Sequence, residues 1–282
     1  MTETEEGIGL VGAGRLGTAL GRRLILRGYT VSAVASRSSG GAARLAAELH
    51  CGMFGSATEV VANSELTVLT VPDSAVSKVS GEISDSAGPE LTGKVVVHCA
   101  GVMGLEVLSR CAERGAHVAV VHPLAPVPDG DPACLEGAWA TVEASRGGGK
   151  FALQLCHHLG LTPLLWNGYN RSLYHAAAVM AGVLPVVLEG LSERVARDAG
   201  MPSESGPALR QLLVLAAANT KRLGSAGGLT GPETRHDSET SSRHFQALAN
   251  VDSRMADVYR LLLELTSEMQ GFQALGGGNH DG

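Results

Sequence analysis

The stretch GIGLVGAGRLGTAL, residues 7–20, places three glycines, Gly12, Gly14 and Gly17, directly after a short apolar segment. The apolar residues favour a β-strand, and the residues that follow the glycines favour a helix. This order is the context that a dinucleotide-binding turn requires. Gly12 permits a tight turn, Gly14 leaves room for a pyrophosphate, and Gly17 lets the helix pack closely on the strand. The nucleotide-binding residues predicted in this turn are Gly12, Ala13, Gly14, Arg15, Leu16 and Gly17.

The second strand predicted, Thr30 to Ala35, ends at Ser36-Arg37-Ser38, and residues 7–47 contain no carboxylate. An enzyme that uses NAD usually has Asp or Glu at this point, against the ribose 2′-hydroxyl. A guanidinium flanked by two hydroxyls instead suits a 2′-phosphate. The alternative is a solvated loop arginine. We therefore predict NADP(H) as the cofactor, with Ser36, Arg37 and Ser38 in its site.

The charge, the N-terminal segment and the cysteine pattern disfavour several classes of protein. A formal charge of −6 over 282 residues disfavours a nucleic-acid partner. Residues 1–6 lack the basic start and apolar core of a signal peptide, and we see no apolar stretch free enough of polar residues to span a bilayer. The five cysteines are scattered, and His157-His158 point apart on a helix, so neither a disulfide framework nor a metal site is expected. These features predict a cytoplasmic protein without a membrane partner.

Further strand-like segments alternate with helix-like ones through the first half of the chain, which is typical of a parallel sheet with crossover helices. Leu66 to Val71 breaks at Pro72-Asp73, Val95 to His98 ends at Cys99-Ala100-Gly101, and His117 to Val121 ends at His122-Pro123. Trp139 to Glu143 and Thr162 to Trp166 are also predicted as strands. Ligands of open α/β sheets bind at the carboxyl ends of strands. The additional cofactor residues predicted there are Val71, Pro72, Asp73, Cys99, Ala100 and Gly101. Asp73 could equally cap the next helix.

The strand signal stops after residue 166, and long helical patterns follow. We predict helices over Ser172 to Ala199 with a kink at Pro185, over Pro207 to Leu223, near Ser238 to Leu248 and over Ser253 to Met269, with a flexible stretch at Gly224 to Gly231. The predicted fold is α/β, an N-terminal doubly wound parallel sheet followed by an all-α C-terminal domain. Its predicted parts are a nucleotide-binding domain at 1–168, a helical substrate and dimerisation domain at 169–275, and a disordered tail at 276–282.

The helix segment from Ala176 to Leu188 is so apolar that it must be covered nearly all round. A domain of about 110 residues is too small to do so easily by itself. We therefore predict a homodimer that forms through the helical domain. The alternative is a helix buried within one chain.

The chain resembles pyrroline-5-carboxylate reductase and its relatives in the glycine turn, in Ser36-Arg37-Ser38, in LTVPDSAV at 69–76 and in the change to an all-helical second half. More closely, it resembles a family of Rossmann-like proteins with a conserved C-terminal domain of unassigned function, some of which have been likened to ketopantoate reductase. The motifs that carry this second resemblance are HCAG at 98–101, HPL at 122–124, YHAAAVMA at 174–181 and LTGPETRHD at 229–237. The family usually has serine, asparagine and glycine where this chain has Ala100, Val183 and His236.

The resemblance implies an NADP-linked reductase whose substrate lies between the nicotinamide and the helical domain. His175, at the start of the long helix, is the preferred proton donor to a C=O or C=N group. His98 and His122 at strand ends are also candidates, although a histidine there is more often structural. Tyr174 has a phenol that could do the same work, although an aromatic side chain at this point is more often part of the packing.

A polar loop over residues 230–237 supplies the substrate-binding candidates Thr230 and Arg235, of which Arg235 suits a carboxylate. Asp237 is expected to cap the next helix. The leading hypothesis is hydride transfer from NADPH to a small imine or carbonyl compound that carries a carboxylate. A non-catalytic NADP(H) sensor or assembly protein is the alternative. A β-hydroxy acid dehydrogenase is a weaker one, since Cys99 to Gly104 only partly matches its glycine-rich substrate loop.

Overall fold

The structure is a computed structural model that describes residues 7–231 and 237–276. The strands are Ile8–Val11 (β1), Val31–Ala35 (β2), Gly52–Met53 (β3), Leu66–Leu69 (β4), Val95–His98 (β5), His117–Leu124 (β6), Trp139–Ala144 (β7) and Thr162–Leu165 (β8). The helices are Arg15–Leu26 (α1), Ser39–Leu49 (α2), Ala57–Ala62 (α3), Asp73–Ser86 (α4), Ser109–Glu113 (α5), Gly149–Leu159 (α6), Arg171–Gly182 (α7), Leu184–Asp198 (α8), Ser205–Gly228 (α9), Ser238–Val251 (α10) and Ser253–Gly276 (α11).

The eight strands form one sheet in the order β3-β2-β1-β4-β5-β6-β7-β8. Strand β1 lies between β2 and β4, so the chain changes direction across the sheet beside β1, where open α/β sheets bind their ligands. The predicted α/β class, with its doubly wound and mainly parallel sheet, is confirmed. The glycine turn after β1 opens at this point.

One pair of strands departs from the prediction, because β7 runs antiparallel to β6. The connection between them, residues 125–138, holds only a short 3-10 turn and no crossover helix. Without a crossover, the chain re-enters the sheet in the opposite direction. Pairing with β7 also extends β6 to Leu124. The prediction that His122 and Pro123 follow the end of this strand is therefore wrong, since both lie within it.

Apolar side chains cover both faces of the sheet, as expected for parallel strands between helices. In β5, Val95 and Val97 pack in the core on one face, whereas Val96 packs in the core on the other. His98 follows this alternation and shares the face of Val96. The alternation of side chains thus places His98 on the same face of the sheet as Val96.

The helical half differs from the prediction in where its helices break and where they end. The helix predicted from Ser172 to Ala199 is divided into α7 and α8 at Val183, two residues before Pro185, whose ring nitrogen carries no hydrogen to donate. The stretch predicted to be flexible from Gly224 is helical as far as Gly228. Gly224 itself has φ 74° and ψ 172°, a break inside α9 that glycine tolerates.

The chain divides into two compact units, Met1–Val183 and Leu184–Gly282. The first unit contains the sheet and also α7, whereas the predicted boundary near Gly168 lies before that helix. In the described part of the second unit, only three hydrophobic side chains are buried, namely Ala196, Met255 and Ala256. The tail predicted at 276–282 lies outside the described residues except for Gly276, which ends α11.

The segment Arg171–Asp198, which comprises α7 and α8, is long and apolar enough to span a membrane by length and composition, with a mean hydropathy of 1.5. This finding corrects the sequence prediction that no segment qualifies. The criterion is weak for one helix, because apolar helices of soluble proteins also meet it. Val186 and Val187 in this segment are 65% and 51% exposed in the single chain.

Candidate functional site

The glycine turn has the close contacts that its sequence predicts. Gly12 has φ +118°, and its carbonyl accepts a hydrogen bond of 2.8 Å from the hydroxyl of Thr70 at the end of β4. A Cβ atom at Gly17 would lie only 2.0 Å from the carbonyl oxygen of Gly12. Any side chain at Gly17 would thus force α1 away from the turn. The third glycine is required by packing, as predicted.

The start of α1 is open to a ligand. Gly14 is the N-cap residue, it is exposed, and no atom lies within 4 Å of the position that its Cβ would occupy. The first amides of a helix have no partner within the helix, and they carry partial positive charge. A phosphate can therefore approach the backbone at Gly14 and accept hydrogen bonds there.

Arg37 follows β2 on the same edge of the sheet. Its side chain is exposed and makes no hydrogen bond or ion pair with the part of the chain that the structure describes. Ser38 caps α2, because its hydroxyl accepts a hydrogen bond of 3.2 Å from the amide of Gly41. Ser36 is half-buried at the end of the strand. The guanidinium of Arg37 is thus available for a 2′-phosphate.

The ends of β4 and β5 complete this edge of the sheet. Asp73 begins α4 but does not cap it, since the N-cap residue is Pro72 and no side chain caps this end. The alternative role predicted for Asp73 is therefore wrong. After β5, Cys99, Ala100 and Gly101 are all buried. Val71, which was predicted in the strand, lies two residues beyond its end.

His98 is fully buried, and both of its ring nitrogens have partners. Nδ1 accepts a hydrogen bond of 3.2 Å from the amide of Ala100, and Nε2 lies 3.0 Å from the carbonyl oxygen of Gly104, to which it donates. Burial lowers the pKa of the imidazole, which favours the neutral form that these bonds require. His98 thus holds residues 99–104 in place, in agreement with the structural alternative weighed for it.

Four polar side chains share one face of the sheet. His98 is opposite Val120 of β6, which is opposite Glu143 of β7, and His122 is opposite Thr141. Because paired residues point to the same side and side chains alternate along a strand, His98, His122, Thr141 and Glu143 all face α7. The antiparallel pairing of β7 is what brings Thr141 beside His122.

A chain of hydrogen bonds joins this face to α7. The hydroxyl of Tyr174 lies 2.5 Å from Nδ1 of His122 and 3.0 Å from Oγ1 of Thr141. Thr141 is buried, and Tyr174 is half-buried. Burial raises the pKa of Tyr174. We call these three side chains, Thr141, Tyr174 and His122, the hydroxyl relay.

His122 and His175 meet at Gly101, and we call them the histidine pair. Their ring centroids are 5.9 Å apart. A Cβ atom at Gly101 would lie 2.7 Å from Cδ2 of His175 and 2.8 Å from Nε2 of His122. His175 is half-buried and makes no hydrogen bond with the described residues. The absence of a side chain at Gly101 is what lets both rings reach the end of β5.

The charge state of His122 follows from its surroundings. Burial lowers its pKa to about 4, and nearby His175, Arg171 and His98 act in the same direction. His122 is therefore neutral at pH 7, with one ring nitrogen that donates and one that accepts. Its neighbour His175 faces no positive charge from this ring.

Arg171, at the start of α7, lies beside the histidine pair. Its guanidinium is paired with the carboxylate of Glu143 and lies 4.3 Å from the centre of the Trp166 ring. Its Nη1 atom is buried and has no hydrogen-bond partner in the described part of the chain. The ion pair fixes the first turn of α7 on the sheet and so positions Tyr174 and His175.

Sequence reasoning missed Thr141, Glu143 and Arg171. The signal that was present is the alternation of polar and apolar residues in β7, where Thr141 and Glu143 alternate with the core residues Ala140 and Val142. This pattern is typical of a strand with one polar face. The residue that Thr141 would meet depends on the pairing with β6, which no local pattern specifies.

The remaining predicted residues, the substrate-binding candidates Thr230 and Arg235, belong to the segment before α10. Thr230 is exposed. Arg235 lies outside the described residues, as does His236. The capping role expected of Asp237 is confirmed, because its carboxylate accepts a hydrogen bond of 3.1 Å from the amide of Thr240.

Two family models match the chain. Residues 2–123 match a Rossmann-like domain, and residues 138–266 match a domain of unknown function, DUF2520. This pair of domains confirms the resemblance drawn from the N-terminal fingerprint and the C-terminal motifs. No curated protein matches the sequence.

Several solved structures share the fold. A candidate NADP oxidoreductase from Bacteroides fragilis is 22% identical, with a TM-score of 0.77 over 94% of this chain and 98% of the other. Pyrroline carboxylate reductase from Plasmodium falciparum, crystallised with NADP bound, is 12% identical, with a TM-score of 0.62 over 94% and 98%. An imine reductase from Myxococcus stipitatus, in complex with NADP+, is 18% identical, with a TM-score of 0.62 over 96% of each chain.

Proposed function

From the combination of a Rossmann-like domain with the DUF2520 domain, we propose that this protein is an NADPH-dependent reductase that acts on a small C=N or C=O compound carrying a carboxylate. The observation that carries the proposal is the histidine pair packed on Gly101, at the same edge of the sheet as the glycine turn and Arg37. Hydride donor and proton donor must meet at one substrate, and open α/β sheets bind their ligands at this edge.

The described residues fit NADP(H). The space at Gly14 and the free amides of α1 suit the pyrophosphate, and Arg37 suits the 2′-phosphate. When bound, the cofactor supplies the hydride. The NADP bound to the Plasmodium falciparum and Myxococcus stipitatus proteins supports this choice, since both have the same fold.

The protein's contribution is to orient the substrate and to provide a proton. We assign the proton to His175, because its ring lies at Gly101 and has no hydrogen-bond partner among the described residues. The proton goes to the nitrogen or oxygen of the substrate while the hydride goes to its carbon. A C=N substrate is favoured slightly, since the neighbours include a pyrroline carboxylate reductase and an imine reductase.

The Arg37→Ala substitution tests the cofactor site. We expect binding of NADPH to weaken by about 1–3 kcal/mol, the range for a charge-assisted contact, while binding of NADH stays unchanged because it has no 2′-phosphate. Fluorescence titration of the purified proteins measures both affinities. The control is Arg146→Ala, since Arg146 is exposed and follows β7 at the opposite edge of the sheet. An equal loss of affinity for NADPH and NADH, or no loss for either, would contradict the assignment of Arg37.

A non-catalytic NADP(H) sensor is the second candidate. Ala100 favours it, because this residue is buried at the end of β5 where family members usually have a serine hydroxyl. A sensor would bind NADPH as tightly as an enzyme does, but it would consume none with any imine or keto acid.

We also propose that the protein is a cytoplasmic homodimer. Three buried hydrophobic side chains are too few to stabilise the described part of Leu184–Gly282, and apolar residues of α8 and α9 such as Val186 and Leu212 are more than 60% exposed. An apolar groove of about 820 Å³ runs between α8, α9, α10 and α11. A second copy of the chain would cover these surfaces and supply the missing core.

Sedimentation velocity at micromolar concentration tests the dimer. We expect a particle of twice the 29.0 kDa chain mass for the wild type and of one chain mass for Val186→Asp, because burial of a carboxylate in an apolar interface is costly. Leu26→Asp is the matched control, since Leu26 is 70% exposed on α1 in the other unit. A monomeric wild type would contradict the proposal.

A further inference from the structure

The hydroxyl relay specifies which nitrogen of His122 carries hydrogen. We propose that Thr141 and Tyr174 are positioning residues that fix His122 in the tautomer with hydrogen on Nε2, so that this N–H is a second donor to the substrate. The donor role rests on the proposed function, whereas the fixed tautomer does not.

The direction of the relay follows from the number of hydrogens available. The phenol of Tyr174 has one hydrogen and lies within reach of two acceptors, Nδ1 of His122 at 2.5 Å and Oγ1 of Thr141 at 3.0 Å. An imidazole nitrogen is the stronger acceptor of the two, and a phenol is a stronger donor than an aliphatic hydroxyl. Tyr174 therefore donates to His122, and Thr141 donates to the phenol oxygen.

The other ring nitrogen must then carry the hydrogen. In a neutral imidazole one nitrogen donates and the other accepts, and the bond made at one nitrogen determines the state of the other. Since Nδ1 accepts, Nε2 donates. Burial, together with nearby side chains that include the guanidinium of Arg171, lowers the pKa of His122 to about 4, which favours the neutral form at pH 7.

The Nε2 atom of His122 lies against Gly101, at the carboxyl end of β5. A Cβ atom at Gly101 would lie 2.8 Å from Nε2, and no other residue type would leave this space open. The same position would bring a Cβ within 2.7 Å of His175. The N–H of His122 and the ring of His175 therefore approach one point at the carboxyl end of β5.

Tyr174 is held in place from two sides, which the relay requires. Its ring contacts Trp166 edge to face, with centroids 5.4 Å apart, and His122 edge to face at 5.7 Å. One turn earlier, the ion pair between Arg171 and Glu143 fixes α7 on the sheet. The hydroxyl of Tyr174 thus has little freedom to leave His122.

The two histidines would divide the chemistry of reduction. The bound cofactor would supply a hydride to the substrate carbon. The electron pair of the C=N or C=O bond would move to the nitrogen or oxygen, and His175 would give that atom its proton. His122 keeps its own proton throughout and donates a hydrogen bond to the atom where negative charge develops. A neutral hydrogen-bond donor that points at this charge lowers the activation barrier of the reduction, and the donor itself stays in the same protonation state.

The tautomer can be measured directly by nuclear magnetic resonance of protein labelled with ¹⁵N histidine. We expect one tautomer for His122 in the wild type, with hydrogen on Nε2 and a bare Nδ1. In Tyr174→Phe we expect a mixture of both tautomers, and in Thr141→Val a partial shift toward that mixture, which Thr141→Ser restores. Thr162→Val, at an exposed position of β8, is the matched control. Hydrogen on Nδ1 in the wild type, or an unchanged tautomer in Tyr174→Phe, would overturn the assignment.

Steady-state kinetics separate the tautomer from the donor role. We expect kcat to fall about 10- to 100-fold in Tyr174→Phe with little change in KM for NADPH, the range seen for partners that orient a metal-bound histidine through its second nitrogen. If the wild type has the single tautomer and Tyr174→Phe has the mixture, but kcat is the same in both proteins, the donor role is overturned and the tautomer assignment stands. A fixed tautomer in a wild type that consumes no NADPH would instead contradict the proposed function.

Discussion

Replacement of His175 with glutamine is expected to slow the oxidation of NADPH by roughly 10²- to 10⁴-fold, the range for loss of a general acid. The ring of His175 lies against Gly101 and makes no hydrogen bond with the described residues, so its replacement removes no hydrogen bond among them. Binding of NADPH and the free energy of unfolding should therefore stay close to those of the wild type. Steady-state kinetics with the best imine or keto acid measures the effect.

The matched control for this prediction is His157→Gln. His157 is exposed on α6, in the same unit of the chain, and no part of the site contacts it. A rate for His175→Gln within a few fold of the His157→Gln rate would show that His175 is not the donor. The remaining ring of the histidine pair, His122, would then be the next residue to replace.

Replacement of Gly17 with alanine is expected to abolish measurable binding of NADPH, with a loss of at least about 100-fold. The new Cβ would lie 2.0 Å from the carbonyl oxygen of Gly12 and 2.6 Å from Oγ1 of Thr70, so that the turn and α1 must separate. Overpacking of this kind typically costs 1–3 kcal/mol of stability. Nucleotide titration and urea denaturation, measured on the same protein, give both quantities.

Gly14→Ala provides the contrast that separates binding from packing. No atom lies within 4 Å of a Cβ at Gly14, so the free energy of unfolding should not change, whereas the methyl group would occupy the space that we assign to the pyrophosphate. We therefore expect weaker binding without loss of stability. Unchanged binding in both glycine variants would mean that the nucleotide does not lie on this turn.

The parts of the molecule that local sequence could predict are those in which neighbouring residues determine the outcome. The glycine turn is one example, because Gly12 and Gly17 meet within a single turn of chain. The strand Val95–His98 is another, since a continuous apolar run of this length is typical of a strand buried on both faces. Both predictions agree with the structure.

The candidate site was only partly predictable, because it depends on pairing between distant segments. The sequence predicts that the strand ends at His122, since the sequence of β6 does not show that β7 extends it. Thr141 is 33 residues from Tyr174 in the chain, and Glu143 is 28 residues from Arg171. No helical or strand periodicity joins residues so far apart, so their contacts required the sheet register.

The central claim, that the protein is an NADPH-dependent reductase, is tested most directly by following NADPH absorbance in the presence of a panel of cyclic imines and keto acids, with and without a carboxylate. We predict saturable consumption of NADPH with at least one carboxylate-bearing member, faster than with NADH. Tight binding of NADPH without its consumption in the presence of any compound of the panel would contradict the claim and favour a sensor. Failure to bind either nucleotide would exclude both the reductase and the sensor.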